Sequence, residues 1–196
     1  MRLTNNKIVR LPPSIYKYYT MFIKLNKKIN VQEYSAKTSV ISYAGKLKYS
    51  TVSVPFNDIF SLVPERYRDK FVVLVMEIIG SISPHTDSEI LSTINIYVNP
   101  DDCTTTFYNI NTDINIKSTK LENQSNGRIF NVSQLKPYDS FIAKTDEAWL
   151  LDVTYPHGVT SNKIDNTPVT RTAIVLQTKF YSFEQVKEML KETGYL

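Results

Sequence analysis

The sequence predicts a mainly β protein with flanking helices, built as a sandwich, barrel or jelly roll. Three observations predict it. β-Branched and aromatic residues crowd into short runs that hold no sustained helical period. Asn-, Asp-, Pro- or Gly-bearing turns separate those runs. Only the C-terminal segment carries a full set of helix signals.

The runs 38–54 and 71–82 read as the first strands, with Pro55-Phe56-Asn57-Asp58 offering a helix start between them and a short helix over 59–68, broken near Pro64. Further strand-like segments follow at 91–98, 104–110, 128–132, 140–143, 148–153 and 171–180. The chain closes on a helix over about 183–193. Ser182 and Gln185 make a Ser-x-x-Gln capping box, Phe183, Val186, Met189 and Leu190 recur at helical spacing, and Gly194 ends it. This helix is expected to pack on the sheet.

A chain of 196 residues suits one domain, and 42% hydrophobic with 12% aromatic content is enough for a substantial core. The longest apolar run, Phe71 to Met76, is far short of the roughly 20 residues that span a bilayer, so no membrane association is expected. The N-terminus shows no secretory signal pattern, and with Cys103 as the one cysteine a reduced, cytoplasmic setting is expected. Five glycines, none in a G-x-G or G-K-[ST] pattern, argue against Rossmann and P-loop nucleotide sites. Rich Asn, Ile, Lys and Tyr usage suggests an AT-rich coding genome of microbial or viral kind.

Charge is unevenly spread. Residues 1–50 hold ten Lys/Arg against Glu33 alone, interleaved with tyrosines and Phe22, while the rest of the chain is mildly acidic. Such a basic extension reads as a solvated surface whose aromatics enter the core, or as a contact for nucleic acid, where cations pair with phosphates and rings stack on bases.

Only two histidines occur, His85 and His157. His85 and Asp87 lie two apart at the end of a probable strand and so project to one side, where an imidazole nitrogen and a carboxylate oxygen can share a first-row divalent metal. His157 also follows a strand-like apolar segment and is the candidate third ligand. Two histidines and one carboxylate leave coordination positions free, as in non-haem Fe(II) oxygenases, whereas a closed structural zinc site wants four protein ligands. Each histidine alone also reads as a satisfied core or surface imidazole.

Alternation along the strand opened by Arg171 sends Arg171, Ala173 and Val175 to one side. An inward Arg needs an anion, which is either an Asp or Glu of the protein or the far carboxylate of a small dicarboxylate bound at the metal. Thr93, Asn95 and Tyr97 share one side of the preceding strand. Asn95 and Tyr97 are donors suited to an oxyanion, or else an edge polar group and a core aromatic.

Taken together, these segments resemble the Fe(II)/2-oxoglutarate-dependent dioxygenases of prolyl-hydroxylase type, whose H-x-D, distal His and Arg read here as His85-x-Asp87, His157 and Arg171. Leu91 to Asp102 is similar to the family's strand and turn after H-x-D, and Thr106-Phe107 to its Thr-Phe. Cys103-Thr104-Thr105 replaces the Gly-Gly-Glu often found ahead of it. The resemblance covers about 70–180 and implies a double-stranded β-helix core there, within one oxygenase-like domain over 1–196. It implies that His85, Asp87 and His157 bind Fe(II) and serve catalysis, and that 2-oxoglutarate chelates the metal. It further implies that Arg171, with Tyr97 or Asn95 assisting, holds the far carboxylate, and that dioxygen takes the last position. The implied outcome is hydroxylation of a C–H bond with release of succinate and carbon dioxide.

A non-catalytic jelly-roll binding or structural module is the alternative, since one fold hosts many roles. Cupin-type enzymes rank lower because their usual metal motif draws more histidines than the chain has. The substrate is unidentified: a peptide, nucleobase, sugar or small molecule, selected by loops for which the N-terminal extension and the polar stretch 111–127 are the candidates.

Overall fold

β-Branched residues fill the two central strands of the larger sheet, and their alternation decides which face meets which layer. The structure, a computed structural model, describes residues 19–29, 35–43, 47–53, 59–87, 89–110, 118–120, 127–163 and 169–196. Its strands are β1 (Phe22–Lys24), β2 (Ser35–Tyr43), β3 (Leu47–Ser53), β4 (Val72–Ile79), β5 (Ile82–Thr86), β6 (Ser92–Asn99) and β7 (Cys103–Ile110). They continue with β8 (Ser118–Lys120), β9 (Arg128–Phe130), β10 (Leu135–Ile142), β11 (Ala148–Leu151), β12 (His157–Ser161) and β13 (Thr170–Thr178). The helix α1 spans Phe183–Glu192.

A seven-stranded antiparallel sheet has the order β1-β11-β6-β13-β4-β3-β2, and a six-stranded sheet the order β10-β7-β12-β5-β9-β8. Along the chain β4, β5, β6 and β7 alternate between the sheets, and so do β10, β11, β12 and β13. That winding is a double-stranded β-helix, the jelly-roll arrangement predicted. The hairpin β2–β3 extends the larger sheet beyond β4, and β9–β8 extend the smaller one beyond β5.

Tyr97 pairs with Ala173, Asn95 with Val175 and Thr93 with Gln177, so the odd-numbered residues of β6 and β13 face the smaller sheet. There they join Met76, Phe107, Phe141, Leu151 and Val159 in the inter-sheet core. The even-numbered residues Ile94, Ile96, Ile174 and Leu176 face away and are covered by Phe183, Val186, Met189 and Leu190 of α1. β6 and β13 are therefore buried on both faces, and the polar residues they carry, Thr93, Asn95 and Arg171 among them, are buried too.

The capping box forms as predicted: Gln185 N–H donates to Ser182 Oγ, and Ser182 N–H donates to Gln185 Oε1 at 2.9 Å. Gly194, with φ +76°, follows the helix end.

Several boundaries differ from the sequence reading. The run 38–54 divides into β2 and β3, and β10 begins at Leu135 instead of residue 140. The expected helix over 59–68 is helical at residues 59–60, gives way to a turn over 61–63, and resumes past Pro64 as a 3-10 helix, Glu65–Lys70. The segment 128–132 shortens to β9 before a 3-10 turn at Val132–Gln134. Most of the basic extension (1–18, 30–34 and 44–46) and most of the stretch 111–127 lie outside the described residues, as does the expected helix start at 55–58. Among the described residues, no helix is long and apolar enough to cross a membrane.

Candidate metal centre

β12 lies between β5 and β7, and its register sets His157 opposite both His85 and Phe107. His157 opens this strand instead of closing the preceding one: β11 stops at Leu151 and a turn over Asp152–Pro156 intervenes. The two imidazole centroids are 4.5 Å apart, and Phe107 stacks on His157 at 5.4 Å. Asp87 follows β5 directly. Its N–H donates to Val153 O at 3.1 Å, and its Oδ1 lies 3.5 Å from His85 Nε2 and 3.7 Å from His157 Nε2. One ligand atom from each of the three residues lies within 4.8 Å of the others, a group able to hold one metal ion.

The second ring nitrogens fix the orientation. His85 Nδ1 is 2.9 Å from Ser83 O and His157 Nδ1 is 3.0 Å from Tyr155 O. A carbonyl only accepts, so each Nδ1 carries the hydrogen, and Nε2 is the nitrogen left for a proton or a metal.

Burial works against charge on His85, yet its bond to Asp87, that carboxylate's charge and the Ser83 carbonyl outweigh it and raise the imidazole above its usual value. Burial likewise opposes ionisation of Asp87, but the His85 contact and the charge of both histidines hold its carboxyl below the usual range. For His157, burial and then the neighbouring His85 charge push the value down to about 4. In the metal-free group His85 therefore holds a proton more readily than His157 does. Two imidazole nitrogens and a carboxylate on one side of a cavity are a donor set suited to Fe(II) and other first-row divalents.

Gly158 makes the strand spacing possible. A Cβ there would lie 3.0 Å from Ile82 O and 3.2 Å from Pro84 N, so any side chain would push β12 off β5.

From the triad a cavity runs between the sheets to Arg171, and Asn95, Tyr97 and Thr105 also line it. Arg171 is 2% exposed. Its Nη1 donates to Thr105 Oγ1 at 2.7 Å, its guanidinium carbon lies 4.5 Å from the Tyr97 ring centroid, and its Nε has no hydrogen-bond partner. Among the described residues no Asp or Glu pairs with it, so the internal salt bridge considered from sequence is not formed there. Tyr97 is fully buried and does not reach solvent, and its hydroxyl also lacks a partner. Thr93 Oγ1 donates to Asn95 Oδ1 at 2.8 Å. A buried cation and a buried hydroxyl left short of acceptors along one cavity are a pair that an anion could satisfy.

The six residues singled out from sequence, His85, Asp87, His157, Arg171, Tyr97 and Asn95, all line this one cavity. Sequence reasoning missed Thr105, although its alternation with Phe107 in Thr104-Thr105-Thr106-Phe107 was a signal that both point inward. It also missed the turn at Asp152–Pro156, whose carbonyls hold His157 and Asp87.

No protein-family model and no curated protein matches the chain. Among solved structures the chain is similar to vicilin from Corylus avellana (hazelnut), with 11% identity and a TM-score of 0.36 over 68% of this chain. The match takes in 28% of the vicilin chain, so the present chain spans well under a third of that protein.

Proposed function

We propose that the chain is an Fe(II)- and 2-oxoglutarate-dependent dioxygenase that hydroxylates a C–H bond. One observation carries this reading: an open-sided His-Asp-His group and a buried Arg, with no carboxylate partner among the described residues, line the same cavity. His85 and His157 would hold the metal through Nε2 and Asp87 through a carboxylate oxygen. Fe(II) bound there supplies the redox chemistry by which one dioxygen converts 2-oxoglutarate and a substrate R–H into succinate, carbon dioxide and R–OH.

The remaining residues bind, orient and exclude water. The Arg171 guanidinium offers its Nε and remaining N–H groups to the far carboxylate of the cosubstrate, where a planar fork matches a carboxylate bidentately. Tyr97 supplies a hydroxyl donor beside it, and its ring supports the guanidinium from one face. Two carbonyls keep the imidazoles from rotating, so the donor atoms are set before a metal arrives. Met76, Ile78 and Val175 line the cavity with apolar surface that keeps bulk water from the reacting atoms.

Beyond the triad and Arg171, every described lining residue is uncharged, Gln177 and Tyr49 among them. The part of the substrate that enters is accordingly a neutral group, whatever the molecule that bears it.

Purified protein with Fe(II) is expected to consume 2-oxoglutarate and form equimolar succinate. His85→Ala and Asp87→Ala are expected to abolish this while the far-ultraviolet spectrum stays that of the parent. Turnover that persists without metal, or in the Asp87→Ala protein, would overturn the assignment.

A further inference from the structure

The turn between β11 and β12 does more than join two strands. Val153 O accepts from Asp87 N–H at 3.1 Å, and Tyr155 O accepts from His157 Nδ1 at 3.0 Å, so two of the three donor residues are held by carbonyls of one five-residue segment. Asp152 holds that segment in shape. It is 4% exposed, and its Oδ1 accepts from Thr154 N–H at 3.1 Å and from Thr154 Oγ1 at 2.5 Å. Its Oδ2 accepts from the Tyr19 hydroxyl at 2.7 Å, and its own N–H donates to Met21 O at 2.8 Å.

Among the described residues no Lys or Arg pairs with this buried carboxylate. A buried acid without a counter-charge is costly, and the Thr154 and Tyr19 donors offset part of that cost. Tyr19 is itself anchored, since its carbonyl accepts from the Tyr138 hydroxyl at 2.8 Å and its ring lies 5.2 Å from that of Tyr155.

We infer that Asp152, clamped by Tyr19 and Thr154, is a positioning residue of the metal centre: it fixes the turn whose carbonyls orient His157 and Asp87. The inference rests on the metal-centre reading above and extends it, because Tyr19 precedes β1 and so ties the N-terminal part of the chain to the ligand set. Neither Asp152 nor Tyr19 lines the cavity, so neither touches metal or cosubstrate. Groups that orient a metal's ligands change its affinity by roughly 10- to 100-fold when removed.

The test uses the full chain with Co(II) as probe. Asp152→Asn keeps the volume but exchanges one acceptor oxygen for an amide donor. Tyr19→Phe removes a single hydroxyl and keeps the ring. Thr154→Ser retains both donors. Asp152→Asn and Tyr19→Phe are expected to weaken Co(II) binding about 10-fold or more and to alter its visible absorption bands, with the KM for 2-oxoglutarate unchanged. Thr154→Ser is expected to bind as the parent does.

Nitrogen-15 shifts of the His157 ring in metal-free protein give a readout that needs no metal, and the Nδ1–H form should be lost or mixed in the two weakened variants. Parental Co(II) affinity, spectrum and ring shifts in both variants would overturn the clamp and leave the oxygenase assignment standing. A parent that binds no Co(II), with ring shifts that still respond to Asp152→Asn, would do the reverse. No binding and no response would remove both.

Discussion

His85 and His157 are the same side chain a few ångströms apart, and their surroundings move them in opposite directions. Burial opposes charge on both, but at His85 the closer Asp87 outweighs burial and raises it, whereas at His157 burial and the charge of its neighbour prevail and lower it. The sign of the pH effect follows. His157 titrates near 4 in the folded chain against 6.5 in the unfolded one, so between those values the unfolded state binds more protons and stability falls as pH falls. His85 acts the other way: its contribution is complete below 6.5 and is lost as pH rises through its higher folded value. Denaturant unfolding of metal-free protein from pH 7 to 4 is expected to show a loss from His157 on the order of 3 kcal/mol, and His157→Gln should flatten the curve. An unchanged slope in that variant would show that His157 is not held neutral.

Strand β12 shows how an element can hide from the sequence. The sequence reading places no strand over 157–161, where Pro156 and Gly158 flank His157, yet hydrogen bonding to β5 on one side and β7 on the other makes the segment a central strand. Similarly, Pro137 and Asp139 mask the first half of β10, where a register shift between them absorbs the proline without breaking the ladder to β7. The capping box of α1, by contrast, depends on residues three apart and was legible at once.

Gly158 belongs to this scale as well, since its missing Cβ sets the β12–β5 spacing and with it the approach of the two imidazoles. Gly158→Ala is expected to cost about 1–3 kcal/mol of stability and to weaken Co(II) binding, both read from one metal-titrated thermal melt. An alanine variant with parental affinity would show that β12 can shift without disturbing the ligands.

At the level of the whole molecule, the cavity between the two sheets is lined by groups of opposite charge. Asp87 follows β5 of the smaller sheet and Arg171 lies on β13 of the larger, so a metal-bound dicarboxylate would bridge the sheets and stabilise the sandwich by linkage. A non-reactive 2-oxoglutarate analogue at 100 times its Kd, with Mn(II) present, is expected to add about 2.7 kcal/mol to folding. Arg171→Met should lose this gain. The same variant without ligand should be as stable as the parent or more so, because it removes a buried cation that has no carboxylate partner among the described residues. Full retention of the analogue's effect in Arg171→Met would place the anion elsewhere.

By itself the sequence determined the β class, the capped C-terminal helix and the face-sharing of Thr93, Asn95 and Tyr97 and of Arg171, Ala173 and Val175. All of these follow from local periodicity, which a strand or helix expresses whatever surrounds it. The H-x-D spacing likewise placed His85 and Asp87 together. Only the tertiary structure decided that His157 faces them, that Arg171 finds Thr105, and that Asp152 and Tyr19 meet behind the turn. Those contacts depend on strand order and register between segments far apart in the chain, and they are set by how two sheets pack, about which no single window of residues carries information.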